Sequence, residues 1–471
     1  MHRKIILFEL NEVPRRILDA FRLWRPRSTL ARRWSQMRFY KTYTEDGDWL
    51  APWLTWSSVH RGVAGGRHGI IDFGQNLHDV NEEYPQLWTL LQRHQLRSGI
   101  CGSLHTYPPP DESDSYAFYL PDVFAAGSEC FPRQLQPFQE LTLRMIRQSP
   151  RNVSEKVPWL SALRLLTSAP ALGLRPATVL DVARQLAAER VWSWQKVRRR
   201  TYQAVLAFDV FLKQLRRTRP DFCTFFTNHV ASAMHRYWAA TFPGDYETVE
   251  YDEAWIRTYA REIDFAMRMF DGELARLLNF ADRNPDYQVW VATSMGQGPT
   301  TARPVQSQMF ISDRRRFMAA LGLKAADWVE LPGMFPRYSF RIRPDKLGQL
   351  VPQLDSLVID GRPLHYTTSP DGFIALSVGQ YDLHDRPDCV RLGERTVSLV
   401  EMGLVNARID DQSGTGAHHI PEGCLLIYDP RNRAPGQSGT TLSTLELAPA
   451  LLRNFGVPVP QYMQRGAKVA A

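Results

Sequence analysis

Apolar residues run on without alternation in five short stretches of the chain, residues 5–10, 99–104, 222–226, 288–292 and 424–428. A strand that is apolar on both faces is covered on both faces, which is the pattern of parallel strands sandwiched by helices. Helical periodicity fills the intervals, at residues 86–94, 137–147, 179–217, 251–280 and 443–455. Strand–helix alternation over most of a chain predicts an α/β fold with a doubly wound, mostly parallel sheet. Two stretches break the rhythm. Residues 107–156, rich in Pro, Ser and aromatics, read as a loop or cap insertion, and residues 335–414, with strand-like pieces, read as an inserted α+β lobe. The whole of 1–471 is otherwise read as one elaborated domain.

Composition sharpens this in three respects. With 44% hydrophobic and 23% charged residues the chain has the make-up of a folded protein, not of a disordered one. No stretch reaches the length of a membrane-spanning helix, and the apolar run at residues 5–8 stops at Glu9, too early for a signal peptide. Five cysteines stand far apart with no paired spacing, which predicts reduced thiols and a cytoplasmic location. The net charge is +8, and short arginine runs at 198–200 and 216–219 carry part of the excess. Such runs suit either a solvated helix face or an acidic partner; without interleaved aromatics they give no strong nucleic-acid signal.

In a doubly wound sheet, ligands collect at the carboxyl ends of the strands. Polar clusters stand at four such places. Glu9, Asn11 and Glu12 follow the first predicted strand, and Asn228 and His229 follow the third, leading into a helix with His235. Ser294 and Gln297 follow the fourth, and His418 and His419 precede the last. Clusters drawn from positions this far apart in sequence are what a composite active site requires. Two readings of Glu9 and Glu12 stay open at this point. The carboxylates serve as ligand or base beside Asn11, or Glu12, close to Pro14, simply opens a helix.

Several segments carry a family resemblance. Trp56-Ser57-Ser58 through His68-Gly69-Ile70-Ile71-Asp72-Phe73 resembles the segment that follows the nucleophile in type I phosphodiesterases and nucleotide pyrophosphatases of the alkaline phosphatase superfamily. His419-Ile420-Pro421-Glu422-Gly423 is similar to the group's HxPxG metal-ligand turn, and His235-Arg236-Tyr237-Trp238 to its HryW ligand motif. The stretch from Leu445 to Pro460 is similar to its closing helix. The matches occur in the family's order and span nearly the whole chain. The resemblance implies a two-zinc centre that clamps the attacking and leaving oxygens of a phosphoryl transfer.

The departures bear on that centre directly. Asn11 stands where the family has an Asp, Asn228 and His229 stand near its next Asp, and Ser294-Met295-Gly296 replaces an Asp-His pair. Asn offers only a neutral oxygen and Met a soft thioether, so neither replaces a carboxylate or imidazole at zinc. What remains as strong ligands is His235 and His419, with His229, His418 and Glu9 as further candidates. This set predicts at most one divalent metal, zinc by ligand type, and disfavours a two-zinc site. Thr55 and Ser57 are the candidate nucleophiles, while Asn11, Asn228 and Gln297 are candidate donors to an oxyanion. The expected activity is hydrolysis or transfer of a phosphate or sulfate ester on a small-molecule or glycan substrate. The alternative is a catalytically inactive relative that binds an anionic glycan or nucleotide-sugar.

Overall fold

The computed structural model describes residues 2–47, 49–148, 159–334, 337–379, 381–382, 389–433 and 436–463. Its centre is an eight-stranded sheet. In chain order the strands are β1 (Lys4–Leu10), β2 (Met37–Tyr43), β3 (Ser98–Cys101), β4 (Phe118–Leu120), β5 (Phe222–Thr227) and β6 (Tyr287–Ala292). A two-stranded ladder of β7 (Gly296–Pro299) and β8 (Ala417–Ile420) lies beside it, and β9 (Glu422–Tyr428) and β10 (Gly436–Ser443) complete the sheet. The order across the sheet is β10-β2-β9-β6-β1-β5-β3-β4.

Each predicted apolar run supplies a strand of this sheet, the run at 99–104 only as far as Cys101, for the reason its composition implies. β1 sends Ile6, Phe8 and Leu10 into one apolar layer and Ile5 and Leu7 into the other. β6 divides Val289 and Val291 from Trp290 and Ala292 in the same way. The first layer is covered by α3 (Arg199–Thr218), α4 (His229–Thr241) and α5 (Glu262–Arg283), the second by α2 (Pro52–Arg61) and α6 (Leu447–Asn454); α1 (Arg15–Trp24) follows the first strand. The sheet is therefore doubly wound and mostly parallel.

Three details differ from the sequence expectation. The run at 424–428 is not a parallel strand: β9 is antiparallel to both β2 and β6. Burial on two faces makes a strand apolar and says nothing of its direction. The helical pattern over 179–217 is two helices, Pro176–Val191 and Arg199–Thr218, parted at Trp192 and a 3₁₀ turn over Ser193–Arg198. The pattern over 251–280 is likewise divided, into Glu253–Tyr259 and Glu262–Arg283.

Within residues 107–156 the chain contributes β4 to the sheet edge and a helix over Gln136–Gln148, and residues 149–158 lie outside the described set. Residues 337–414 contribute most of two small antiparallel sheets, one edged by Trp328–Leu331, around an apolar cluster that joins Phe340, Leu354 and Leu376 to Met309 and Phe317. Residues 335–336, 380 and 383–388 are not among the described ones. Arg337 ties this lobe to the main body. Its guanidinium grips both oxygens of Asp72, which is 2% exposed.

Candidate metal centre

β1 and β5 pair in register, with Leu10 opposite Thr227, so the two strands end level with each other. The residues just past those ends meet. Asn11 donates from Nδ2 to Asn228 Oδ1 at 2.7 Å and to Glu12 Oε1 at 2.7 Å, and its own Oδ1 accepts from Trp56 Nε1 at 2.8 Å. All of its hydrogen-bonding capacity in these contacts goes to protein groups. Glu12 holds a left-handed backbone, φ 59°. Such a conformation costs a non-glycine residue about 1–3 kcal/mol and persists where surrounding contacts dictate it.

Those contacts converge on the Glu12 carboxylate. His235, near the middle of α4, brings Nε2 to 2.9 Å from Oε2. His419, on β8, brings Nε2 to 3.4 Å from the same oxygen. Gln297 lies opposite His419 in the β7–β8 ladder and donates Nε2 to that oxygen as well. β7 begins with a glycine where the chain approaches the start of β9: a Cβ at Gly296 would stand 2.3 Å from the Glu422 carbonyl. The Glu12 side chain is 2% exposed, His419 11% and His235 27%, so the cluster opens outward past His235.

The tautomers follow from the other ring nitrogens. His235 Nδ1 stands 2.7 Å from the Ala417 carbonyl, and His419 Nδ1 2.7 Å from the Leu50 carbonyl. A carbonyl oxygen only accepts, so both Nδ1 atoms carry protons. In a neutral ring Nε2 then presents a lone pair, and a lone pair does not bind a carboxylate oxygen. The cluster therefore calls for positive charge at its centre, supplied by protons on the rings or by a metal cation. Burial alone would raise the Glu12 carboxyl, but His419 and His235 hold it well below the usual carboxylate range. Burial would lower His419, yet Glu12 and the Leu50 carbonyl carry it above the ordinary imidazole value.

One carboxylate oxygen and two Nε2 atoms, all within 4.8 Å of one another, suit a divalent ion such as zinc. Histidines whose second nitrogen is fixed by a carbonyl are the usual form of such ligands. Among the described residues this is the only such grouping of His, Cys, Asp and Glu.

The other candidates stand apart from it. Glu9 lies within β1, fully buried, with its oxygens on His60 Nε2 at 2.7 Å and Ser103 Oγ at 2.8 Å. His229 is buried against Thr227 and the Ala266 carbonyl, and burial lowers its ring to about 4. His418 points outward from β8, its ring centroid 4.3 Å from that of His419; partial burial, then the charge of His419 and His235, lowers it to about 4. Thr55 is fully buried, its hydroxyl 2.8 Å from Ser294 Oγ and 3.2 Å from the Ala51 carbonyl. Ser57 returns its hydroxyl to the Trp53 carbonyl at 2.8 Å. The sequence puts Glu9 in the candidate metal set and leaves Glu12 open between a ligand and the start of a helix. The distinguishing signal was position: Glu9 is inside the strand, whereas Glu12 lies past its carboxyl end, where ligands gather.

No protein-family model matches this sequence, and no curated protein matches it. Solved structures do resemble the fold at low identity. Murine ectonucleotide pyrophosphatase/phosphodiesterase 5 is 10% identical, with 97% of this chain and 96% of that one covered and a TM-score of 0.40. Phosphonoacetate hydrolase from Sinorhizobium meliloti 1021 in complex with phosphonoformate is 12% identical, with 97% and 96% covered and a TM-score of 0.42.

Proposed function

We propose that this chain is a hydrolase of phosphate or sulfate esters built around one divalent metal held by Glu12, His235 and His419. The observation that carries the reading is the meeting of two Nε2 lone pairs with one buried carboxylate oxygen, with both Nδ1 atoms already committed. A cation there would supply Lewis acidity to an ester oxygen. The chain's own residues supply orientation. Asn11 and Gln297 hold the two oxygens of Glu12 from opposite sides. Gln297 Oε1 is buried with no hydrogen-bond partner among the described residues, an acceptor kept in reserve for a hydroxyl at the site. Because the hydroxyls of Thr55 and Ser57 are already engaged on protein groups, water is the attacking group we favour over a covalent intermediate. The resemblance of the segments around Trp56, His235 and His419 to type I phosphodiesterases supports the substrate class.

The test is elemental analysis of purified protein together with turnover of bis(p-nitrophenyl) phosphate and p-nitrophenyl sulfate. About one equivalent of zinc per chain, with activity abolished in both Glu12→Gln and His235→Ala, is the expected result. Metal uptake without turnover of either ester would favour the non-catalytic binding reading. Failure of the wild-type protein to bind any divalent ion would overturn the proposal.

A further inference from the structure

The helix Pro176–Val191 divides its apolar residues between two faces: Val179, Val182 and Leu186 are half-buried, Val179 against the main core, while others face outward. Its buried positions are Thr178, Gln185 and Glu189, all polar. They hold it to the rest of the chain: Gln185 Nε2 bonds Glu189 Oε1 at 3.0 Å and the Gln195 carbonyl at 2.8 Å, and Glu189 pairs with Arg199 at 2.7 Å. The outward face carries Ala177, Leu180, Arg184, Ala187 and Val191, spaced three and four residues apart, so that they stand in one stripe. Leu180 is 49% exposed, Val191 71%, and Trp192, at the helix end, 54%. A helix that satisfies its polar groups inward and turns leucine, valine and tryptophan to the outside presents an apolar stripe that water disfavours.

Charge says what covers it. Residues 136–200 contain twelve Lys and Arg against four Asp and Glu, a surplus equal to the whole chain's +8. The remainder of the protein is therefore neutral in formal sum, so the chain's excess charge lies in this segment, with Arg198 and Arg199 engaged on Glu262 and Glu189. Arg175, Arg184 and Arg190 are exposed along or beside the stripe, Arg184 within 3.1 Å of the exposed Asp181. Basic side chains interleaved with exposed aliphatics and a tryptophan are the make-up of a helix lying in the interface of an anionic bilayer, where the apolar groups enter the acyl boundary and the cations meet phosphate headgroups. Tryptophan is especially suited to that depth, with an apolar body and one N–H donor.

We propose that the face formed by Leu180, Val191 and Trp192 docks this protein peripherally onto an anionic lipid surface. No helix among the described residues is long and apolar enough to cross a membrane, so the attachment would be superficial and reversible. The inference stands independently of the reading of the metal centre.

Co-sedimentation of the full chain with large vesicles tests it, using phosphatidylcholine alone and phosphatidylcholine mixed with phosphatidylglycerol. Binding is expected to the anionic vesicles only, weakened by high salt, and about tenfold weaker in Val191→Glu/Trp192→Glu. Both substitutions are on exposed positions, so an unchanged melting temperature should accompany the loss. Three outcomes would overturn the proposal: no binding to anionic vesicles, binding that the double variant leaves intact, or a protein dimer in sedimentation velocity that the variant dissolves. The last would assign the stripe to a second copy of this chain.

Discussion

His235 Nε2 and Glu12 Oε2 stand 2.9 Å apart, joined across the ends of two neighbouring parallel strands. The contact depends on register. Leu10 lies opposite Thr227, and a slip of one residue between β1 and β5 would move Glu12 away from α4 and leave its carboxylate buried without a cation. It also depends on the left-handed turn at Glu12, which lifts the side chain over the strand end. Sheet pairing, one strained residue and one helix thus combine to place a single negative charge between two imidazoles.

Replacing that charge separates binding from folding. Glu12→Gln keeps an oxygen for one of the two donors, Asn11 or Gln297, and removes the anion that draws both rings together. Zinc affinity measured by isothermal titration is expected to fall roughly 100-fold or more, since loss of a direct ligand exceeds the 10–100-fold typical of supporting groups. Far-ultraviolet circular dichroism should remain that of the wild type. Retained affinity would remove Glu12 from the centre.

The same pair sets a pH dependence in metal-free protein. The Glu12 carboxyl is held below its ordinary value of 4.5, so its contribution to stability is present above that value and is lost as pH falls through the depressed one. His419 is raised above 6.5, so its contribution is complete below that value and is lost as pH rises through the elevated one. Together they favour the interval between 4.5 and 6.5. Melting temperature against pH, wild type minus Glu12→Gln, should peak in that interval. A difference that is flat across pH would contradict the assignment. Zinc competes with ring protons, so its affinity should instead climb as pH rises above the His419 value.

The parts of this arrangement differed in how far they could be read beforehand. The five buried runs and the histidines at 235 and 419 were visible because each depends on local composition or a short motif. The antiparallel course of β9 was not, since an apolar run does not encode direction. Strands β2 and β10, with polar residues such as Lys41, Thr42, Thr440 and Thr441, carry no continuous apolar run to mark them. Glu12 was read as an equal choice between a ligand and the opening of a helix. What brings Glu12 to His235 is the partner register of β1 and β5, a property of two distant segments that neither one states alone.

Gln297 offers a graded test of how the carboxylate is positioned. Its Nε2 serves both Glu12 and the Ala231 carbonyl, while its Oε1 is buried without a partner among the described residues. Gln297→Met fills nearly the same volume and removes two donated bonds together with one unsatisfied acceptor. The net stability loss should therefore be modest, about 1 kcal/mol. Metal affinity should fall about tenfold through the loosened carboxylate. Chemical denaturation and calorimetric titration on the same variant check both halves.

Gly423 closes the HxPxG turn, and its need for glycine is steric. A Cβ there would stand 2.5 Å from Thr293 Oγ1, just past the end of β6, and 2.7 Å from Thr42 Oγ1 on β2, the two strands that flank β9. Thr293 Oγ1 is meanwhile the acceptor for the Cys424 N–H at 2.8 Å. Gly423→Ala is expected to cost about 1–3 kcal/mol, the usual range for an overpacked interior. Adding Thr293→Ala should recover little, because it relieves one clash while leaving the Cys424 N–H unpaired. Thr42→Ala should recover more: Thr42 Oγ1 is buried with no hydrogen-bond partner to lose.

The lobe over residues 337–414 is held partly by Arg337 on Asp72, and the asymmetry of their burial predicts unequal effects. Asp72 is 2% exposed on its side chain and Arg337 22%. Arg337→Leu leaves the carboxylate buried with, among the described residues, the Thr367 hydroxyl at 3.4 Å to meet it, and should cost about 3–5 kcal/mol. Asp72→Asn leaves a better-solvated guanidinium and should cost less. The double variant removes both charges, so its loss should be smaller than that of Arg337→Leu alone, giving a coupling energy clearly different from zero. Hydrogen exchange locates the effect. Faster exchange confined to the strands Arg337–Ile342 and Phe373–Ser377 would show the lobe loosening as a unit. Equal acceleration throughout the central sheet would instead mean that the ion pair supports the whole fold and not the attachment of the lobe.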